Sequence, residues 1–215
     1  MARRYYRNLA DGESTCEKLA EKIEKKDYVK LIDYIDAINI AKEAGCHKLA
    51  KKLGEKSWKK FMDEERYWAA VWVAEKAGLK ELAKEAGKRG WKQCVDSKEW
   101  CNAIRIAKNV GIPELVKEAG ELGCKYYYNS GNYDSAILVA MDAELKELAR
   151  KVGEDAYEKY MKFGNYSKAE EIAQVAKLGE EKINLAKALV DGSGKYWGKI
   201  ELPNGVEIPL ILYRE

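Results

Sequence analysis

Lysines and tryptophans are the residues whose types and spacing could do chemistry in this chain. Lys52, Lys56 and Lys59 stand one helical turn apart, and Lys88, Arg89 and Lys92 form a second cluster of the same kind. Cations at that spacing line one helical face with positive charge, an arrangement that attracts an acidic peptide or a phosphate backbone. Trp68 and Trp72, at i and i+4, stand in columns that hold Asp134 and Ser167, and Arg105 and Glu171, elsewhere in the chain. Two indoles on an otherwise solvated face mark a hot spot for a partner or a second subunit, or a docking site for the chain's own Tyr5, Tyr6 and Leu9.

Other chemistries find little support. His47 is the only histidine, and with no second ligand pair near Cys46 it reads as a solvent-facing residue at a helix start and not as a metal ligand. One histidine leaves no Cys–His or Ser–His–Asp set; there is no G-x-S-x-G and no glycine-rich phosphate loop. Glu64–Glu65 and Glu170–Glu171 are adjacent carboxylates on charged faces. The expectation is a protein that is not an enzyme and carries no cofactor and no metal.

Composition narrows the class. Apolar residues make up 47% and charged residues 35%, the balance of a folded chain and not a disordered one. Lys and Glu far outnumber Gln, a bias shared by thermophilic proteins. A net charge of +3 is too small to argue for nucleic acid by itself. No stretch has the length of a membrane span and the N-terminus has no secretory pattern. The five cysteines, odd in number and without a C-x-x-C pair, read as reduced thiols of an intracellular, cytoplasmic protein.

The elements that position the lysines follow from a repeat. "SGNYDSAILVA" at Ser130 returns as "FGNYSKAEEIA" at Phe163, 33 residues later. At that offset Tyr34, Tyr67, Trp100, Tyr133 and Tyr166 align, followed by Ala37, Ala70, Ala103, Ala136 and Ala169, and then by Ala41, Ala74, Ala107, Ala140 and Ala173. A fixed period of this size means stacked supersecondary units, each unable to bury its apolar face alone. Within a unit, Trp100 to Val110 has apolar residues on one helical face, and Gly45, Gly78 and Gly111 stop successive helices where a left-handed residue is wanted. A second helix follows, with Gly54, Gly87, Gly120 and Gly153 inside it. Each interior glycine costs about 1 kcal/mol relative to Ala, so its repetition implies close helix packing. Asn132 and Asn165 fall at N-cap positions. The column Trp58, Trp91, Cys124, Tyr157 runs along the apolar face and reads as core.

At these residues the chain resembles the tetratricopeptide repeat family. The "GNYDSAI" string, the aromatics Phe61, Tyr127 and Tyr160 and the small residues Ala44, Ala77, Ala143 and Ala176 fall where the family pattern has them, over roughly residues 27–178. The period is one residue short, the terminal Pro is missing, and Gly90-Trp91 or Ala156-Tyr157 replaces the Leu-Gly pair. An ankyrin array shares the period but needs a T-P-L-H string that does not occur. The resemblance implies a right-handed superhelix of helical hairpins whose second helices line a groove, and a binding scaffold. Those helices, 46–62, 79–95, 112–128 and 143–162, run from six Lys against one Glu at the first to five residues of each sign at the last.

The ends break the pattern. Ser14-Thr15-Cys16-Glu17 is a capping box for a helix to about Lys25. "KYWGKIELPNGVEIPLILYRE" alternates as a β-hairpin around Pro203-Asn204-Gly205, and a three-residue loop pairs Leu202 with Val206, Ile200 with Ile208, Gly198 with Leu210 and Tyr196 with Leu212. That register gathers the apolar side chains on one face, to cap the last helix or pair with another chain. The expected organisation is an N-terminal capping segment (1–26), tetratricopeptide-like repeats (27–191, about five hairpins) and a C-terminal β-hairpin cap (192–215) on an otherwise all-α fold. The expected function is a protein-interaction scaffold holding a peptide or protein partner, acidic where it meets Lys52, Lys56, Lys59, Lys88, Arg89 and Lys92. The alternative is nucleic-acid binding by the same lysines. A homodimer through the hairpin or Trp68 and Trp72 is a further expectation, and a membrane is not one.

Overall fold

The structure, a computed structural model, describes Cys16, Ala20 and residues 30–190, 194–201 and 207–213. Ten helices follow one another through this body: α1 (Leu31–Glu43), α2 (His47–Asp63), α3 (Tyr67–Ala77), α4 (Lys80–Asp96), α5 (Trp100–Asn109), α6 (Pro113–Asn129), α7 (Tyr133–Asp142), α8 (Lys146–Lys162), α9 (Tyr166–Val175) and α10 (Glu180–Val190). Short and long helices alternate up to α9, and the long ones are each 17 residues. The chain divides into two compact units, residues 1–116 and 117–215, with the boundary inside α6. In the first, α1 to α5 pack each against the next; in the second, α7 to α10 do the same.

The aligned columns are the cores. In the first unit Ile38, Phe61, Val73 and Ile106 are fully buried, and the Tyr34 ring meets Phe61 edge-on at 5.6 Å. In the second, Ile137, Ile172 and Ala156 are fully buried around Tyr157. Removing each such aliphatic side chain from water contributes about 1.5–3 kcal/mol before ordering entropy is subtracted. Ala41, Ala74, Ala107, Ala140 and Ala173 have no exposed surface, because a larger residue there would separate the helices. The interior glycines have the packing reason their repetition implied. A Cβ on Gly54 would stand 2.2 Å from Ala77 Cβ, and one on Gly87 would stand 2.6 Å from Val110 Cγ1.

The turns follow their residues. Gly45, Gly78 and Gly111 take φ values of 73°, 77° and 68°, ending α1, α3 and α5 in the left-handed conformation. Glu144 and Lys177 adopt that conformation at the two later equivalents, and Glu65 and Lys98 do so in the turns after α2 and α4. Asn132 and Asn165 cap α7 and α9, their side-chain oxygens accepting from the Ser135 and Lys168 amides at 3.2 Å.

Three expectations need correction or fall outside the description. The fold class is all-α without the β-hairpin cap: from residue 30 to 190 every element is a helix and no strand occurs. Beyond that body, backbone segments β1 (Gly194–Glu201) and β2 (Glu207–Tyr213) run antiparallel, but not in the expected register. Ile200 faces Ile208 and Gly198 faces Leu210, whereas an irregularity between Tyr196 and Gly198 puts Tyr196 opposite Ile211 instead of Leu212. One extra residue on one strand shifts the pairing beyond it. The loop at Pro203-Asn204-Gly205 and the N-terminal capping box lie outside the described residues. The cysteine reading is also corrected, because Cys16 and Cys46 form a disulfide with a Cα separation of 5.6 Å, while Cys94, Cys101 and Cys124 are free. Pattern counting looks for close pairs, and this one spans 30 residues.

Candidate partner-binding surface

Helix α2 buries Ala50, Leu53, Gly54, Ser57 and Phe61 and turns its other face to solvent. Lys48, Lys51, Lys52, Lys56 and Lys59 are all exposed on that helix. On α4 the buried set is Ala83, Ala86, Gly87, Gly90 and Cys94, and Lys88, Arg89 and Lys92 are exposed. Arg89 is bound to Glu85 at 3.2 Å. Among the described residues Lys48, Lys51, Lys56, Lys59, Lys88 and Lys92 enter no ion pair. Each exposed ammonium therefore contributes undiminished to a positive surface, screened only by salt.

The long helices of the second unit carry acidic and basic residues in near balance. Arg150 pairs with Glu147 at 3.3 Å and Glu154 at 3.2 Å, and Lys117 lies 3.8 Å from Glu121. A groove of about 870 Å³ opens between α6 and α8, with Cys124, Lys125, Tyr128, Leu148, Val152 and Asp155 in its lining. Tyr128 donates its hydroxyl proton to Asp155, and that bond, with burial, raises the phenol's pKa. Lys159 donates to the Tyr133 hydroxyl at 2.8 Å and lies over the Tyr128 and Tyr133 rings at 5.4 and 5.1 Å. The hydrogen bond to Tyr133 raises its pKa.

The tryptophans differ in exposure. Trp68 is half-buried against the first core, with the Arg105 guanidinium over its ring at 4.9 Å. Trp72 is 54% exposed. Tyr5, Tyr6 and Leu9, expected to cover them, lie outside the described residues. Trp58 and Trp91 are core ties, a role the spacing did not show. Trp58 Nε1 donates to the Leu82 carbonyl at 2.9 Å and Trp91 Nε1 to that of Leu115 at 3.0 Å.

Two of the free thiols are buried, whereas Cys101 is exposed. Burial raises the Cys124 thiol's pKa; burial, with Glu99 adding and Arg105 opposing, raises that of Cys94, so both remain protonated at neutral pH. His47 is the exposed first residue of α2. Among the described residues no three His, Cys, Asp or Glu side chains gather as a metal site, and no helix is long and apolar enough to cross a membrane. No family model matches the chain, and no curated protein matches it significantly.

Proposed function

We propose that this protein is a non-enzymatic, tetratricopeptide-like interaction scaffold that holds an acidic peptide or protein segment against the exposed faces of α2 and α4. The repeat reading is supported by helix starts at Tyr67, Trp100, Tyr133 and Tyr166, in step with the period of the sequence. The observation that carries the partner's chemistry is the set of lysines without ionic partners, Lys56, Lys59, Lys88 and Lys92, on helices whose opposite faces are core. Lys52 and Arg89 extend the same surface.

The same charges favour nucleic acid as a second reading. Against it stands the placement of the tryptophans on α2 and α4: single-strand binders stack bases on exposed rings, whereas Trp58 and Trp91 are tied to backbone carbonyls. The test is a Glu-rich peptide titrated into wild type and into a Lys56→Glu, Lys59→Glu, Lys88→Glu, Lys92→Glu variant. The peptide should bind wild type at low salt, weaken steeply with added salt, and not bind the variant. Tighter, salt-dependent binding of an oligonucleotide than of the peptide would replace this reading with the second.

A further inference from the structure

The groove between α6 and α8 has a counterpart between α2 and α4, and there an indole closes it. Trp58 reaches across to the Leu82 carbonyl, Trp91 repeats the contact with Leu115, and Tyr157 donates its hydroxyl to the Lys182 carbonyl at 3.1 Å. At each of these steps a ring fills the space and its donor satisfies a helix carbonyl. Cys124 occupies the same column, and the carbonyl in register with those of Leu82 and Leu115 is that of Leu148. A thiol is too short to fill the space or make the bond. What remains is the groove of about 870 Å³, floored by Cys124 and walled by Tyr128, Leu148 and Val152. That volume lies within the roughly 300–1,000 Å³ typical of ligand sites. Tyr128, held by Asp155 and covered by the Lys159 ammonium, gives the groove a wall fixed before anything binds.

We propose that this groove receives the indole side chain of a tryptophan in a partner peptide, its N–H donating to the Leu148 carbonyl as Trp58 and Trp91 donate to Leu82 and Leu115. The volume exceeds a single ring, so peptide backbone flanks the indole. The rim offers it donors and acceptors from Lys125, Lys151, Glu121 and Asp155. This deepens the scaffold reading and rests on it, naming the residue that anchors the partner in the second unit.

The test titrates N-acetyl-tryptophanamide into the full chain and follows backbone amides by NMR. Saturable shifts centred on residues 124, 148 and 152 are expected in the millimolar range. The same probe methylated at the indole nitrogen should bind several-fold to about tenfold more weakly, the loss of one hydrogen bond. Cys124→Trp, which supplies the ring from within, should abolish the shifts while keeping the helical circular dichroism. If that variant does not fold, the methylated probe still decides. No saturable shift, shifts centred elsewhere, equal affinity for the methylated probe, or undiminished binding by folded Cys124→Trp would each overturn the proposal. Such a failure leaves the basic-surface reading intact, because that is read separately from the Glu-rich peptide on α2 and α4.

Discussion

The two units are built from the same helical pattern and spend their surfaces differently. In the first, Trp58 and Trp91 close the gaps between long helices, and Lys56, Lys59, Lys88 and Lys92 on the exposed faces enter no ion pair among the described residues. In the second, a groove is lined by Cys124 at the corresponding position, while Arg150 is paired with Glu147 and Glu154. A repeat core fixes the spacing of the helices, and that frees the outer columns to vary from one copy to the next. Function is therefore sought where copies diverge, and stability where they agree.

The sharpest way to break this comparison is to remove side chains from one column. Trp58→Ala should cost about 3–5 kcal/mol through lost packing and an unfilled cavity. Cys124→Ala, in the same column, should cost no more than about 1 kcal/mol, because it removes a single atom from a buried site. Equal losses in denaturant melts would show that Cys124 packs as tightly as the indoles do.

Reduction of the Cys16–Cys46 disulfide comes next, at about 2–4 kcal/mol for a bridge spanning 30 residues. The loss should fall on the first unit alone. Hydrogen exchange in reducing buffer should accelerate in α1 and α2 and remain unchanged in α7 to α9. Uniform acceleration would mean that the units unfold together. Close packing is probed by Ala103→Leu, which inserts three heavy atoms where no surface is exposed and should cost about 1–3 kcal/mol.

The helices, their turns and the asparagine caps were legible because each has a local residue signature that recurs at a fixed offset. The ties of Trp58 and Trp91 were not, since their acceptors are main-chain carbonyls 24 residues away and leave no mark in side-chain type. The groove was not legible: the column Trp58, Trp91, Cys124, Tyr157 reads as core, and only the fold shows a groove lined by Cys124. The disulfide escaped because two thiols 30 residues apart meet only once the chain is folded. The lysine surface was readable as charge. That Lys56, Lys59, Lys88 and Lys92 lack ionic partners among the described residues, whereas Arg89 has Glu85, needed coordinates.

Two smaller effects refine the comparison of copies. Glu144 holds φ at 62° where three earlier copies have glycine, so Glu144→Gly should stabilise by about 0.5–1 kcal/mol, the left-handed strain relieved less the backbone entropy lost. Gly78→Glu, the reverse change in the first unit, should destabilise by a similar amount. The last effect concerns Lys168, whose ammonium lies 2.7 Å from Asp134 and 2.8 Å from Glu171. Hydrogen bonds to Asp134 first and Glu171 second hold its pKa well above the ordinary lysine range. A raised folded-state pKa stabilises fully below the unfolded value of about 10.4 and fades as pH rises from there through the folded value. The stability difference between wild type and Lys168→Met should thus be flat from about pH 7 to 10 and shrink above that. A difference that vanishes below about pH 9 contradicts the assignment.

The central claim, that the first unit presents the charged surface and the second does not, is tested most directly by mapping a Glu-rich peptide onto the full chain by NMR at low salt. The account predicts amide and side-chain perturbations concentrated on α2 and α4, at Lys52, Lys56, Lys59, Lys88, Arg89 and Lys92, fading together as salt is raised. Perturbations spread evenly over both units, or centred on Lys146, Arg150 and Lys151 of α8, would contradict it.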